Sequence, residues 1–238
     1  MISLSIVIVA VIISFLVALF WLGIINHNTG FLKWENNNIF NFAIGGIAAV
    51  GLAGIFEFIL LEDKYLFGLD VLKTSHLLEN YLFFYVAVAA LIEEFFKGIV
   101  IWWGIRKMAT EKIKDGIIIG LIVGLFFAVA ENAIYFATQI NSSGINGVIN
   151  LIIIRTIFSS VAHMIFSGIM GGFIVKGLFC KINSIKIFLF IGALVFPVAV
   201  HTIFNFSMST GTPWALIFLA IIGAVGVFLV LKNYKESL

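Results

Sequence analysis

Seven apolar runs divide this chain at short polar interruptions: Ile2–Ile25, Ile39–Leu61, Tyr81–Ile105, Gly116–Ile140, Val148–Val175, Ile187–Phe206 and Trp214–Leu231. Each reaches or exceeds the roughly 18 residues that a bilayer-spanning helix needs, and no dyad-patterned strands of the kind that build a membrane β-barrel occur between them. A water-soluble core would alternate apolar and polar positions, whereas 62% of these residues are hydrophobic and only 11% are charged. The reading is an all-α polytopic membrane protein of about seven spans, a single membrane-embedded domain over residues 1–238. The first run has no Lys or Arg ahead of it and extends past Trp21. That is unlike a signal peptide, so it counts as a span.

Charge orients the bundle and narrows its partners. Lys33, Arg106, Lys107, Lys112, Lys114, Lys176, Lys181, Lys186, Lys232 and Lys235 fall on one side, against Lys64 and Lys73 on the other. The positive-inside rule then puts the N-terminus outside and the C-terminus in the cytoplasm, at the cell membrane. A net charge of +2 without a basic cluster interleaved with aromatics excludes nucleic acid as a partner. Cys180 is the sole cysteine, which rules out an intrachain disulfide and leaves it as small apolar packing.

Against that apolar background a few polar residues stand at membrane depth. Glu93, Glu94 and Lys97 lie within five residues of the third run. A charge at the bilayer centre costs at least ~2.5 kcal/mol, so such groups line a pocket, a pathway or an ion pair. Lys97 is i,i+4 from Glu93 and i,i+3 from Glu94, so two acids share one base. An ion pair that only braced the helices would need one carboxylate; two adjacent ones, which cannot both ionise cheaply in a dry site, make an acid and base set.

The fourth helix places Gly116, Gly120, Gly124, Ala128 and Asn132 at four-residue steps, a stripe of small residues that admits a neighbouring backbone. Glu131 shares that side, with Phe127 one turn before it and placed to shield its carboxylate. It either pairs with Arg155 of the fifth helix or acts directly at a site, and Asn132 braces helices. In the fifth helix His163 has Ser159 and Ser167 on its row, and Gly168 and Gly172 form a second close-packing pair. In the sixth, His201 and Asn205 share a face one turn after Pro197. The other two histidines, His27 and His76, fall in loops, so the intramembrane pair stands apart. Imidazoles there can exchange protons or bind a metal ion. Glu57, close to Glu62 and Asp63 at the end of the second helix, is assigned to the interface and left out of the site.

Four segments, Glu93-Glu94-x-x-Lys97, Phe127-x-x-x-Glu131-Asn132, His163-x-x-x-x-Gly168 and His201-x-x-x-Asn205, follow one another on successive helices. In this order they resemble the PrsW family of intramembrane proteases, over about half the chain. That family is similar to the CAAX prenyl endopeptidases and bacteriocin self-immunity proteins, which have a double-glutamate helix followed by a catalytic His and a His-x-x-x-Asn pair. This chain has Glu131-Asn132 where the prenyl peptidases have a His, so roles do not transfer there. The resemblance implies site-1 cleavage of a single-span, anti-sigma-factor-like membrane protein in a signalling cascade.

Hydrolysis at depth needs a held water, a base and oxyanion donors. The expected arrangement has Glu93 or Glu94 taking the water proton, His163 orienting the water, His201 and Asn205 donating to the oxyanion, and Lys97 tuning the acids. No cofactor is preferred. The alternative is Zn²⁺ held by His163, His201 and a glutamate such as Glu131, although no His-Glu-x-x-His motif occurs. No Gly-x-Ser-x-Gly elbow is present, and Cys180 lies at the cytoplasmic end of its helix. Two rivals from other classes are a proton-coupled transporter and a non-catalytic scaffold. The first lacks a visible internal repeat, and the second leaves the buried ionisable groups unexplained. Glu131, His201 and Asn205 sit nearer the outer helix ends, which favours access from outside.

Overall fold

The computed structural model describes residues 4–31, 36–61 and 78–210, and among these every long element is a helix. They are α1 (Leu4–Thr29), α2 (Asn36–Leu61), α3 (Leu78–Met108), α4 (Ile113–Ile154), a π-turn (Arg155–Ser159), α5 (Ser160–Phe179) and α6 (Asn183–Thr210). Five stretches are long and apolar enough to cross a membrane: Leu4–His27, Asn37–Leu60, Ile113–Ser142, Leu151–Phe179 and Asn183–Thr210. At 31 residues α3 matches them in length, and its central Glu93, Glu94 and Lys97 set it apart in composition. The expected helix Trp214–Leu231 lies outside the described residues.

Large apolar side chains cover the outside of the bundle, among them Ile8, Ile12 and Phe15 of α1 and Ile187, Phe188 and Ile191 of α6. In water such a surface would aggregate; in lipid it is the solvated face. The polar residues Glu94, Lys97, Asn132, Ser160, His163 and His201 are instead buried inside. A bilayer offers no partner for them, so they satisfy one another.

Helical hydrogen bonding runs unbroken from Ile113 into α5, yet the chain reverses within it. In a straight helix Glu131 and Arg155 would stand about 36 Å apart, but their side chains meet at 2.6 Å. The reversal falls between the stretches Ile113–Ser142 and Leu151–Phe179, which makes an antiparallel pair of the expected fourth and fifth helices. The small-residue stripe sets their closeness. A Cβ on Gly116, Gly120 or Gly124 would run into the backbone carbonyl of Gly171, Ser167 or His163 respectively. On α5 the backbone approach is made at Gly171 and at Gly168, whose Cα faces Gly120, and Gly168 and Gly172 also pack on the side chains of Leu121 and Ile117.

Around this pair α1 and α2 pack on α4, α3 lies between α2 and α6, and α6 closes against α5. A four-residue connection joins α3 to α4. In it Ala109 adopts φ 46°, while the Thr110 hydroxyl donates to Asp115 at 2.6 Å and accepts from the Lys112 amide at 3.2 Å. Because successive helices alternate in direction, the C-terminal ends of α2 and α6, the N-terminal end of α3 and the reversal of α4 share one end of the bundle. The buried polar groups lie in that half.

Candidate active site

On α3, Glu94 and Lys97 are one turn apart and both fully buried, so each must be neutralised by what it touches. Lys97 Nζ donates to Glu94 Oε1 at 2.5 Å, stands 3.0 Å from His163 Nδ1, and lies 4.1 Å from the centre of the Phe127 ring. The expected shield of Glu131 is therefore a cap on Lys97 and His163, whose ring centre is 5.3 Å from that of Phe127. An ammonium has only protons to give, so His163 Nδ1 accepts and its Nε2–H donates to Glu131 Oε2, 3.0 Å away. Arg155 holds the same carboxylate oxygen through Nη2 at 2.6 Å. Glu131 thus makes the ion pair with Arg155 that the sequence offered, and it also bonds a histidine of the cluster.

His201 reaches the cluster from α6. Its Nδ1 lies 2.8 Å from Glu94 Oε1. A carboxylate can only accept, so Nδ1 carries the proton and Nε2 presents a lone pair, to which Asn205 Nδ2 donates at 2.9 Å. In this tautomer the His201 proton is committed to Glu94 and its Nε2 accepts from Asn205, so of the pair expected to donate to an oxyanion it is Asn205 that has a hydrogen to spare. Asn205 keeps a second amide hydrogen to donate.

Glu93 differs from Glu94. Its buried Oε2 makes no hydrogen bond, while Lys97 Nζ and His201 Nε2 stand 3.7 and 3.8 Å away. Ligand atoms of Glu93, His163 and His201 lie within 4.8 Å of one another. Two imidazoles and a carboxylate are a donor set of catalytic zinc sites, and the Glu94 carboxylate behind His201 is the outer partner such a ligand needs. The glutamate of this group is Glu93 and not Glu131, whose carboxylate already serves Arg155 and His163. The donor set fits a divalent metal ion, which would take the lone pairs of His163 Nδ1 and His201 Nε2 in place of the Lys97 and Asn205 hydrogens that they accept without it.

All nine expected residues, Glu93, Glu94, Lys97, Glu131, Asn132, Arg155, His163, His201 and Asn205, enter this one network. Asn132 braces as expected: its Oδ1 accepts from Arg155 Nε at 2.6 Å and its Nδ2 donates to Ser160 Oγ at 3.2 Å. Three features went unforeseen. The first is the π-turn Arg155–Ser159, whose extra residue per turn re-aims Arg155. It is tied to α1 by a 3.1 Å hydrogen bond from Trp21 Nε1 to the Thr156 carbonyl. The second is Ser160, whose hydroxyl links Asn132 to the Arg155 carbonyl. The third is Glu57, which lies in electrostatic range of Glu131, Lys97 and Glu93. A signal for it existed: Gly45, Ala49, Ala53 and Glu57 stand at four-residue steps, the same small-residue pattern that marks α4.

The protease PrsW of Clostridioides difficile (strain 630) is 32% identical to this chain over 137 residues, which are 56% of this chain and 55% of that protein. The matched part thus spans about half the length of that curated relative. No solved structure matches the chain. Residues 34–231 match the family described as PrsW family intramembrane metalloprotease, a range that contains every residue of the network above except Trp21. The chain belongs to the PrsW family of intramembrane metalloproteases.

Proposed function

We propose that this multi-pass membrane protein is an endopeptidase that hydrolyses a peptide bond of another membrane protein, using water activated by a glutamate. One observation carries the reading: Glu93, Glu94 and Lys97 of α3, His163 of α5 and His201 and Asn205 of α6 converge in a single buried network. A transport relay would also gather such groups, but it does not call for an unpartnered carboxylate oxygen beside two imidazoles.

Glu93, His163 and His201 would hold the divalent ion. When bound, it supplies Lewis-acid polarisation of the water and of the scissile carbonyl. The family's description as metalloproteases gives this version more support than the metal-free one preferred from sequence. The remaining groups have separate duties. Glu94 fixes the tautomer of His201 and neutralises Lys97. Glu131, itself gripped by Arg155, orients His163 through Nε2–H. Asn205 donates its free amide hydrogen to the developing oxyanion. With Glu93 engaged as a ligand, the water's proton passes to a further carboxylate.

The resemblance extends the proposal to site-1 cleavage of a single-span, anti-sigma-factor-like substrate reached from outside. The topology that goes with it has seven spans in one domain, an outer N-terminus and a cytoplasmic C-terminus. The test is a proteoliposome assay with a single-span reporter. Fragments are expected from the wild type and none from Glu93→Ala, Glu94→Ala, His163→Ala or His201→Ala. Full activity in either glutamate variant ends the proposal. Ion flux without fragments means a carrier, and co-purification alone means a scaffold. Chelation should abolish cleavage and added Zn²⁺ restore it; cleavage indifferent to chelation removes the metal from the scheme.

A further inference from the structure

The proposed hydrolysis leaves one duty unassigned: a carboxylate must take the proton of the attacking water. Of the glutamates whose side chains the structure describes, four face this half of the bundle, and three are committed. Glu94 is fully buried and serves Lys97 and His201. Glu131 is held by Arg155 and His163. Glu93 belongs to the group suited to an ion. The fourth is Glu57.

Packing puts Glu57 on the face of α2 that looks toward α3 and α4. Ala53, one turn earlier on α2, lies in a buried cluster with Ile92, the residue before Glu93, and Phe127, one turn before Glu131. Phe56 stacks on Phe96 with ring centres 5.2 Å apart. The turn that carries Glu57 therefore lies across the groove between α3 and α4, one step nearer the polar end than Ala53. The charged and titratable groups it meets electrostatically are Glu93 and Lys97 of α3 and Glu131 and Tyr135 of α4. It is neither sealed in nor fully exposed, unlike Glu94, and among the described residues no ion pair or hydrogen bond occupies its carboxylate. Within its electrostatic range is Glu93, whose buried Oε2 makes no hydrogen bond.

Resting on the hydrolase reading above, we infer that Glu57 is the general base and acid of the reaction. Its carboxylate accepts a proton from the water as the water oxygen bonds to the scissile carbonyl carbon. As the C–N bond breaks, Glu57 returns that proton to the departing nitrogen, leaving a carboxylic acid and an amine. Water is the only co-reactant.

The experiment compares full-length wild type, Glu57→Gln, Glu57→Asp and His201→Ala in proteoliposomes, with the exposed Glu111→Gln as control. For Glu57→Gln the expectation is a fall in kcat of about 10²–10⁴-fold with KM within twofold. Zn²⁺ stoichiometry and melting temperature should match the wild type, whereas His201→Ala should lose the ion. Glu57→Asp should recover part of kcat, because the acid is kept and only its reach shortened. Wild-type kcat in Glu57→Gln overturns the inference. So does loss of Zn²⁺ in that variant, which would make Glu57 a ligand. A KM increase confined to reporters with basic residues overturns it too, since that would make Glu57 a substrate contact. If the wild type itself produces no fragments, the hydrolase reading fails first and this inference falls with it.

Discussion

Replacing Gly124 by alanine tests whether the closeness of α4 and α5 sets the chemistry. The added methyl group would fall inside the His163 carbonyl and stand 2.8 Å from Ser167 Oγ. Relief to ordinary contact distance means moving α5 by roughly 1 Å at the histidine itself. Both hydrogen bonds of that imidazole, to Lys97 and to Glu131, are 3.0 Å long, and such a shift takes them past the range in which a hydrogen bond survives. Overpacking an interior costs about 1–3 kcal/mol, and misplacing a catalytic group by ~1 Å costs about 10²-fold in rate. Gly124→Ala should therefore melt earlier in detergent and cleave a single-span reporter at about one hundredth of the wild-type rate. Gly192→Ala on α6, where the new Cβ meets no atom within 4 Å, should keep full activity and gain up to about 1 kcal/mol from helix propensity. Wild-type cleavage by Gly124→Ala, or equal damage from both changes, refutes the argument that backbone contact positions His163.

The two neighbouring glutamates should fail in different ways. Glu94→Gln leaves buried Lys97 without its 2.5 Å partner, at a cost of about 3–5 kcal/mol, whereas Glu93→Gln should lose cleavage and keep its melting temperature; equal melting of the two contradicts the division of roles. Arg155 donates from two different nitrogens to Asn132 and Glu131 and stacks over Tyr135 at 3.7 Å. Arg155→Lys, a point charge in place of a fork, should recover little of the activity that Arg155→Ala loses, and full reporter cleavage by the lysine variant would show that charge alone suffices. In the α3–α4 connection, Ala109 sits at φ 46°, where an L-residue costs roughly 1–2 kcal/mol. Ala109→Gly should raise the stability measured by thermal unfolding by about 1 kcal/mol, and an unchanged or lower value disproves the strain.

How much of this was legible beforehand depended on how each feature is encoded. Helix length and the α4 stripe are periodic properties of the chain itself, so Gly116, Gly120 and Gly124 could be placed at a contact before their partner was known. Polar residues in long apolar runs are equally visible, because lipid tolerates them only with cause. That was enough to gather the nine residues of the network. What each nitrogen does was not legible. Whether His201 donates or accepts depends on which atom faces it, and Glu94 lies 107 positions away in sequence. The same holds for the glutamate nearest the two imidazoles, where Glu93 takes the place expected of Glu131. The π-turn has no periodic signature, since nothing in Arg155–Ser159 distinguishes it from the ordinary helix on either side.

Glu57 shows how a correct rule can mislead when applied by position alone. Its closeness to Glu62 and Asp63 assigned it to an interface, yet a helix end is also where a bundle with alternating strand directions gathers the mouths of its neighbours. The last turn of α2 lies far along α4, in electrostatic range of Glu131, because α2 and α4 run in the same direction with Gly46 packed against Val123 and Phe126. An acid at a helix end can therefore lie level with the middle of the next but one. Glu94 is sealed in and neutralised by Lys97 and His201, while Glu57 is only half-buried and carries no ion pair among the described residues. A carboxylate that must give and take protons in every turnover belongs at the second kind of place.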